Sequence, residues 1–283
     1  MGSPLHLAVA LQATGDEAFS AKHWVELTRE AEEATLDFVT FDDELGGEPG
    51  LDAVLRAARV APLTTHIGLV PTAVVTHTEP FHLSKAIATL DFVSRGRAGV
   101  QLDTAPYPLH ARHFGRREVL DDLWEEAADF AEVLRRLWDS WEDDAEIRDV
   151  ATGRFVDREK LHHIDFEGRW FSVRGPSITP RPPQGHPLIA ATHPGFADIV
   201  FAQDPKAPAE RVFRDVTGVP EIDQLQDWQE QGFAGFRFHV EDLHEITRGL
   251  VPGLRKRGLF RSAYEHRTLR GHLGLPKPAN QYA

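Results

Sequence analysis

The segment 67–99, IGLVPTAVVTHTEPFHLSKAIATLDFVSRGRAG, decides the fold class of this chain. It begins with a buried apolar run (67–70), continues through a threonine-rich loop and enters a helix at Glu79-Pro80. That pair suits a helix start, because proline tolerates the first turn and a carboxylate faces the positive end of the helix. A glycine turn then leads to a second apolar run (98–102). A strand–loop–helix–turn–strand unit of this length predicts a βαβ module and hence a parallel sheet.

The rest of the chain continues the alternation of strands and helices. Apolar runs predict further strands, and spacings near 3.6 residues predict further helices. The predicted strands are 5–11, 37–41, 187–192 and 197–202, and the predicted helices are 22–34, 51–60 and about 118–141. Residues 145–186 read as a loop-like insertion, because four prolines interrupt regular structure there. We find no linker, so residues 1–283 are predicted to form one domain.

Composition narrows the class of protein. Lys+Arg 31 against Asp+Glu 44 gives a net charge of −13, which argues against nucleic acid or an anionic membrane as a partner. The chain contains no cysteine, so disulfides and thiol chemistry are excluded. Its first residues have no basic leader and too short an apolar run for a signal peptide or a membrane span. The default expectation is therefore a cytoplasmic enzyme-sized domain.

Several long strings make the chain similar to a known family. The segment 67–99 resembles the corresponding stretch of the bacterial luciferase-like flavin monooxygenases, in the branch of the nitrilotriacetate and dibenzothiophene-sulfone monooxygenases. Three other segments resemble the same branch. They are LRRLWDSWEDDA (134–145), the insertion at 151–189, and the string 257–283, in which the predicted C-terminal tail is 259–283. The resemblance implies a TIM-barrel-like α/β fold and a reaction of reduced FMN with O₂.

The resemblance also predicts a shortened barrel. PLIAAT (187–192) and ADIVFA (197–202) are separated by four residues, whereas relatives place a helix between the corresponding strands. Parallel neighbours ordinarily need a crossover of about a dozen residues, so these two strands are not expected to be adjacent. We expect fewer than eight regular βα units, with the barrel incomplete or distorted between residues 190 and 222.

The family's motifs indicate candidate cofactor-binding residues. Asp43 matches an acid at the flavin face, Thr72 and Thr76 lie in the loop that packs on the flavin ring, and Gln101 replaces an asparagine that contacts the ring's polar edge. The family's phosphate-binding tyrosine is Trp124 here. A solvated loop acid, ordinary strand-end threonines and a buried strand amide are the alternative interpretations.

The phosphate end departs further from the family. Asp121 and Asp122 are expected to repel a phosphate, and the family's AGSS loop reads ATHPG at 191–195. The upstream basic group (Arg112, His113, Arg116 and Arg117) could compensate. We therefore expect FMN to bind too weakly to co-purify.

His77 and His113 are the candidate proton donors. Histidines are numerous, but none shows a metal-binding spacing, so no metal site is predicted.

Two functions stay open. One is a two-component monooxygenase that takes reduced FMN from a separate flavin reductase and oxygenates a small organic substrate, with a deazaflavin as the alternative carrier. The other is a degenerate, non-catalytic barrel that binds flavin or another ligand weakly or acts as a partner subunit. Relatives dimerise through the helices corresponding to 51–60 and 79–93, so a homodimer is expected in either case.

Overall fold

The computed structural model describes residues 5–43, 45–46, 49–115 and 122–283. Its strands, in chain order, are β1 His6–Leu11, β2 Phe38–Phe41, β3 Gly68–Val74, β4 Gly99–Asp103, β5 Glu146–Asp149, β6 Arg154–Val156, β7 Phe166–Glu167, β8 Ser172–Val173, β9 Leu188–Ala191, β10 Ile199–Phe201, β11 Arg211–Thr217 and β12 Gly235–His239. Its helices are α1 Ala21–Glu33, α2 Ala53–Val60, α3 Pro80–Ser94, α4 Pro108–Phe114, α5 Leu123–Asp139, α6 Ile222–Gln231, α7 Val251–Lys256 and α8 Leu269–His272.

Eight strands form a closed parallel barrel in the order β1-β12-β11-β10-β9-β4-β3-β2. The ring closes because β1 pairs with β12 on one side and with β2 on the other, with His6 opposite Gly235 and Ala8 opposite Phe38. The predicted TIM-barrel-like α/β fold is confirmed.

The module formed by β3, α3 and β4 follows the prediction from its sequence. Helix α3 begins with Pro80 after Glu79 and ends where Arg95 takes a left-handed conformation, followed by Gly96 at φ 88°. A Cβ at Gly96 would lie 2.9 Å from Thr268 Cγ2, so the turn requires glycine for space as well as for its backbone angle.

Phenylalanines fill the middle of the barrel. The rings of Phe38, Phe201 and Phe213 lie 5.4–6.4 Å apart between centroids. Leu269 in α8 and Leu273, the residue that follows α8, belong to the same cluster and close the end where the strands begin. Gly68 permits this approach, because a Cβ there would lie 2.5 Å from Leu269 Cδ1. The amino end is thus sealed by apolar groups, and a ligand can enter at the carboxyl end.

The region 190–222 combines a confirmed prediction with a wrong one. No helix occurs in the links 192–198 and 202–210, all of whose residues the structure describes, so fewer than eight regular βα units are present. The two flanking strands are nevertheless parallel neighbours, with Ile199 opposite Ala190. The two strands are four and three residues long. The seven-residue link 192–198, which can span up to about 23 Å, is therefore long enough to lead the chain back to the edge at which the strands begin. Partly buried Phe196, Ala207 and Ala209 cover the core where helices would lie.

Four further differences concern segments outside the predicted strands and the start of one helix. The stretch 211–217, which was not predicted as a strand, is the seven-residue β11. The segment after β4 contains α4, and the long helix starts at Leu123 rather than near 118, although 116–121 lie outside the described residues. The insertion 145–186 contains two small antiparallel sheets, β5-β6 and β7-β8.

Among the described residues, no helix is both long and apolar enough to cross a membrane.

Candidate functional site

A cavity of about 660 Å³ opens at the carboxyl end of the barrel. This is the end at which parallel barrels carry their active sites, on the strand ends and the loops that follow them. Its size lies in the range of small-molecule and cofactor sites. It is lined by Leu11, Gln12, Ala13, Thr14, Ala18, Trp24, Asp42, Asp43, Pro49, Gly50, Leu51, Arg56, Thr72, Gln101, Asp103, Arg237 and His239.

Three polar side chains of the cavity wall, Gln101, Arg237 and His239, are linked by hydrogen bonds, with Asp215 as the shared partner of Arg237 and His239. Arg237 on β12 binds Asp215 on β11 through two bonds, Nε to Oδ1 at 2.6 Å and Nη2 to Oδ2 at 2.9 Å. Its third nitrogen, Nη1, donates to Gln101 Oε1 at 2.6 Å. His239 Nε2 lies 3.1 Å from Asp215 Oδ1. Because arginine only donates, it fixes the Gln101 oxygen toward itself and leaves the amide NH₂ to bind other groups.

The electrostatics of this set favour an ionised Asp215. Burial raises the pKa of its carboxyl, but the hydrogen bonds and charges of His239 and Arg237 lower it by more, so the pKa lies below the usual value for aspartate. The Arg237 guanidinium also lies 3.5 Å above the centre of the Phe201 ring. Arg237 is therefore held between a carboxylate and an aromatic face, and it can position Gln101 rigidly.

Two buried hydroxyls on neighbouring strands of the barrel have no hydrogen-bond partner among the described residues. These are Thr72 Oγ1, on the cavity wall, and Thr40 Oγ1, on the neighbouring strand β2. Leaving a buried hydroxyl unpaired costs about 1–3 kcal/mol. A bound ligand or an ordered water that supplies the missing bond is the simplest way to recover this energy, so the Thr72 hydroxyl marks a polar contact point.

Arg56 supports the outer wall of the cavity. Its guanidinium lies 4.3 Å from the centre of the Trp24 ring, and its Nη2 donates to the Asp42 carbonyl. Burial lowers the pKa of Arg56, against the opposing effect of Asp43, Asp42 and Asp52. Its Nε has no partner among the described residues, which leaves one N–H available at the cavity.

The cavity brings together three of the predicted cofactor-binding residues. Thr72 and Gln101 are directly opposite each other in the β3–β4 pairing, which places both at the same depth. Asp43 lies on the loop after β2, and its Oδ2 accepts a bond from the Ala53 N–H at 2.9 Å. Asp43 therefore also anchors the start of α2. The binding roles of all three stay predictions.

The other four predicted residues lie outside the cavity lining as the described residues define it. Thr76 is fully buried, and its hydroxyl accepts a bond from the Ala105 N–H. His77 is buried at a positive φ of 70°, with its ring 5.5 Å from that of Phe114. His113 is exposed on α4. Neither histidine is among the residues that line the cavity, and their roles as proton donors stay predictions.

The two segments predicted to meet at a flavin phosphate do come together, but with different chemistry. Trp124, at the start of α5, stacks on His193 of the 191–195 loop with centroids 4.9 Å apart. Asp122, expected to repel a phosphate, is paired with Arg169, a basic residue of the insertion. Asp121, Arg116 and Arg117 lie outside the described residues, and Arg112 is exposed.

The sequence analysis missed Asp215, Arg237 and His239. A detectable pattern was present in β12, where Arg237 stands between two phenylalanines in GFRFH (235–239), an unusual place for a charge in an apolar strand. Its partner could not be found in this way, because the stretch containing Asp215 had not been predicted as a strand. Among the described residues, no group of three or more His, Asp or Glu side chains is placed to hold a metal.

Comparison with known proteins agrees with this geometry. The sequence pattern of the family described as luciferase-like monooxygenase matches residues 3–202. The chain belongs to that family. The component A of nitrilotriacetate monooxygenase from Aminobacter aminovorans is 36% identical over 233 residues, which cover 71% of this chain and 51% of that protein. One of the pristinamycin IIA synthase subunits from Streptomyces pristinaespiralis is 30% identical over 268 residues, covering 90% of this chain and 89% of its own length.

Solved structures share the fold of this luciferase-like chain at lower identity. A long-chain alkane monooxygenase superposes with a TM-score of 0.85 at 19% identity, covering 97% of this chain and 96% of that one. The EDTA monooxygenase from Chelativorans sp. BNC1 superposes with a TM-score of 0.81 at 20% identity, covering 97% and 99%. In sequence, the chain spans about half or less of the first curated relatives, 51%, 42% and 33% of their lengths.

Proposed function

We propose that this chain is a flavin-dependent monooxygenase that oxygenates a small organic substrate in the cavity at the carboxyl end of the barrel. Family membership supports the reaction class, and relatives named as monooxygenases of nitrilotriacetate and dibenzothiophene sulfone support it further. The observation that carries the proposal is the unpaired, buried Thr72 hydroxyl on the wall of a cavity large enough for a flavin ring.

The residues of the inner wall fit the polar edge of a flavin ring. Thr72 Oγ1 can donate or accept, the Gln101 NH₂ can donate, and Arg237 holds that amide in place. When bound, reduced FMN supplies the electrons and the reaction with O₂ that inserts one oxygen atom into a substrate. The chain's own residues orient the ring through Thr72 and Gln101 and exclude water through the apolar parts of the wall, including Leu11 and Trp24.

The phosphate end of FMN fits less well. The position corresponding to the family's phosphate-binding tyrosine carries Trp124, which stacks on His193 and offers no hydroxyl. In the loop 191–195 the one hydroxyl is that of exposed Thr192. Each lost charged hydrogen bond costs about 1.5–3 kcal/mol. Losing two or three would weaken binding by roughly two to six decades, at 1.4 kcal/mol per tenfold.

Comparing FMN with riboflavin tests both parts of this proposal. Fluorescence titration should give a dissociation constant for each, and we expect FMN to bind no more than about tenfold more tightly than riboflavin, since the phosphate contributes little. The purified protein should be colourless. No binding of either ligand at millimolar concentration would refute the flavin site, while a yellow protein that retains FMN through gel filtration would refute the weak phosphate end.

Such an enzyme needs a source of reduced flavin. We propose a separate flavin reductase as the partner, with both proteins in the cytoplasm. Mixing the chain with a generic NADH-dependent flavin reductase, FMN and O₂ should support oxygenation of candidate substrates detected by mass spectrometry. If the +16 Da product does not require this chain, the assignment fails.

A second candidate function is that of a partner protein in a larger oxygenase. The relative that matches this chain nearly end to end is named as one of the subunits of a synthase. Another of the subunits of the same synthase is also similar, at 37% identity over 134 residues. Co-expression with a full-length family member from the same genome distinguishes the two functions. Activity of the chain alone supports the first, and activity that needs both chains supports the second.

We propose that the chain assembles through α2 and α3, as a homodimer in the first case. These helices pack side by side and expose Leu55 at 69%, Val93 at 44% and Phe92 at 43%. Sedimentation should show a dimer at micromolar concentration, and Leu55→Glu should shift it toward monomer. Ile178→Glu, at an equally exposed position of the insertion, is the control. A monomer in the unmodified protein would contradict this proposal.

A further inference from the structure

His239 is the histidine that lines the cavity, and its partner is a carboxylate on the adjacent strand. It ends β12, while Asp215 lies on β11 in the parallel pairing that sets Asp215 opposite Arg237. The distance from His239 Nε2 to Asp215 Oδ1 is 3.1 Å, and about 28% of the imidazole side chain is exposed. The same carboxylate is held by two bonds from Arg237.

The ionised carboxylate determines which ring nitrogen carries the proton. Asp215 accepts hydrogen bonds and cannot donate one, because its charged neighbours lower its pKa and keep it deprotonated. The bond to His239 therefore requires a hydrogen on Nε2. In the neutral imidazole this leaves Nδ1 without a proton, and no hydrogen bond to Nδ1 occurs among the described residues.

We propose that His239 is the proton-transfer residue of the cavity and that Asp215 is its positioning residue. Neutral His239 takes a proton at Nδ1 from an O–H or N–H group of the ligand, and the resulting imidazolium is stabilised by the adjacent carboxylate. In the reverse direction the imidazolium releases the same proton to a developing anion and returns to the neutral form. The Asp215–Arg237 pair stays ionised throughout, so the ring does not lose its orientation. The identity of the ligand rests on the function proposed above.

A second histidine–aspartate pair provides an internal control. His244 Nδ1 lies 2.9 Å from Asp242 Oδ1, and its Nε2 lies 3.3 Å from Glu30 Oε2. This pair is on the surface and does not line the cavity. Its bonding uses both ring nitrogens and therefore gives a reference signal that differs from the one expected for His239.

Two measurements test the proposal on the full chain. Nitrogen-15 NMR of the ligand-free protein at alkaline pH should show the Nε2–H form for His239, identified by its loss in His239→Gln and its retention in His244→Gln. Diethylpyrocarbonate labelling, mapped by mass spectrometry, should modify His239, because the side chain is 28% exposed and its Nδ1 has no hydrogen-bond partner among the described residues. FMN at ten times its dissociation constant should slow this labelling about tenfold. It should not change the labelling of exposed His163, which lies outside the cavity lining and, among the described residues, bonds to Gly175 O through Nδ1 alone.

Asp215→Asn tests the positioning role. The amide can donate as well as accept, so the preference for the Nε2–H form should disappear. If that variant fails to fold, the wild-type spectrum and labelling still decide the matter, since mass spectrometry identifies His239 without a variant.

The outcomes separate this inference from the proposed function. An Nδ1–H form, or a His239 that resists labelling while His163 reacts, would overturn the inference and leave flavin binding as measured by titration. If His239 has the Nε2–H form and FMN does not slow its labelling, the result would support the His239–Asp215 pair and refute the flavin site.

Discussion

Replacing Thr72 by valine should make the protein more stable and a poorer ligand binder. The two side chains have nearly the same shape, so the substitution removes the hydroxyl without opening a space. The Thr72 hydroxyl is buried, and no described residue bonds it. The wild-type chain therefore bears a desolvation cost of about 1–3 kcal/mol that valine avoids.

The magnitude of each effect follows from that one hydroxyl. An ordered water in the cavity would recover part of the cost, so we expect Thr72→Val to raise the free energy of unfolding by about 1 kcal/mol or more. A single neutral hydrogen bond contributes about 0.5–1.5 kcal/mol, and its loss should weaken FMN or riboflavin binding by about two- to tenfold.

Urea denaturation and flavin titration measure the two quantities, and Thr64→Val is the matched control. The Thr64 hydroxyl is also buried but accepts a bond from Arg97 Nη1 at 3.0 Å, so its removal should destabilise by about 1–3 kcal/mol without affecting flavin. If both valine variants change stability in the same direction, or if Thr72→Val binds flavin as tightly as the wild type, the reasoning about the unpaired hydroxyl is wrong.

Two further predictions concern buried charges at the closed end of the barrel. Arg97 is 2% exposed and donates five hydrogen bonds, to Ser94 O, Thr64 O, Thr64 Oγ1, Ile67 O and Ala61 O. Arg97→Met should lower the free energy of unfolding in urea by about 3–5 kcal/mol, and exposed Arg59→Met by less than about 0.5; equal losses would contradict the role of the buried bonds. Burial raises the pKa of Asp91 to about 6, against opposing bonds from Gln184 and Ala98, so the folded protein holds a proton that the unfolded chain releases near pH 3.8. The stability that protonated Asp91 contributes is present at low pH and is lost as the pH rises from about 4 to about 6. The loss amounts to about 3 kcal/mol. In urea titrations across this window, the free energy of unfolding of the wild type should fall by about 3 kcal/mol relative to that of Asp91→Asn. A difference that does not change with pH would show that Asp91 stays ionised.

Local sequence patterns predicted the parts of the fold that local contacts determine. The β3–α3–β4 module is continuous in sequence, its helix starts at a proline and its turn needs a glycine at positive φ. Each of these features can be read without knowing the rest of the chain. The pairing of Thr72 with Gln101 follows from the same module, which explains why both were predicted to lie together.

The predictions from sequence failed where the fold depends on the length of the strands and on the closure of the barrel. The rule that parallel neighbours need a long crossover assumes strands of ordinary length, whereas β9 and β10 have four and three residues. Asp215 and Arg237 meet because β11 and β12 pair, and Gln101 reaches them from across the closed barrel. Neither contact has a sequence pattern of its own, since the residues are 22 and 136 positions apart.

The candidate proton donor His77 also shows how far sequence position alone can place a side chain. His77 follows a strand that ends at the cavity, so its sequence position is suitable for proton transfer. Its backbone, however, turns through a positive φ, and the side chain is buried near Phe114 instead. A side chain two or three residues beyond a strand end is positioned by the loop, and loop conformation is the least predictable part of a barrel.

Under the proposed function, the position of the helix-free links predicts that the chain binds the phosphate end of FMN weakly and keeps the wall that contacts the flavin ring. The cavity is lined by residues of β1, β3, β4, β12, α1 and α2 and of the segments that follow β1 and β2, and by none of the described residues between 104 and 236. The helix-free links lie on the other side, after β9 and β10. The loop 191–195, which corresponds to the family's phosphate-binding hydroxyl loop, belongs to that side. If the chain has the function proposed above, the absence of helices there affects the phosphate end and leaves Thr72, Gln101 and Arg237 in place, so FMN affinity and the geometry at the flavin ring should depend on different halves of this barrel.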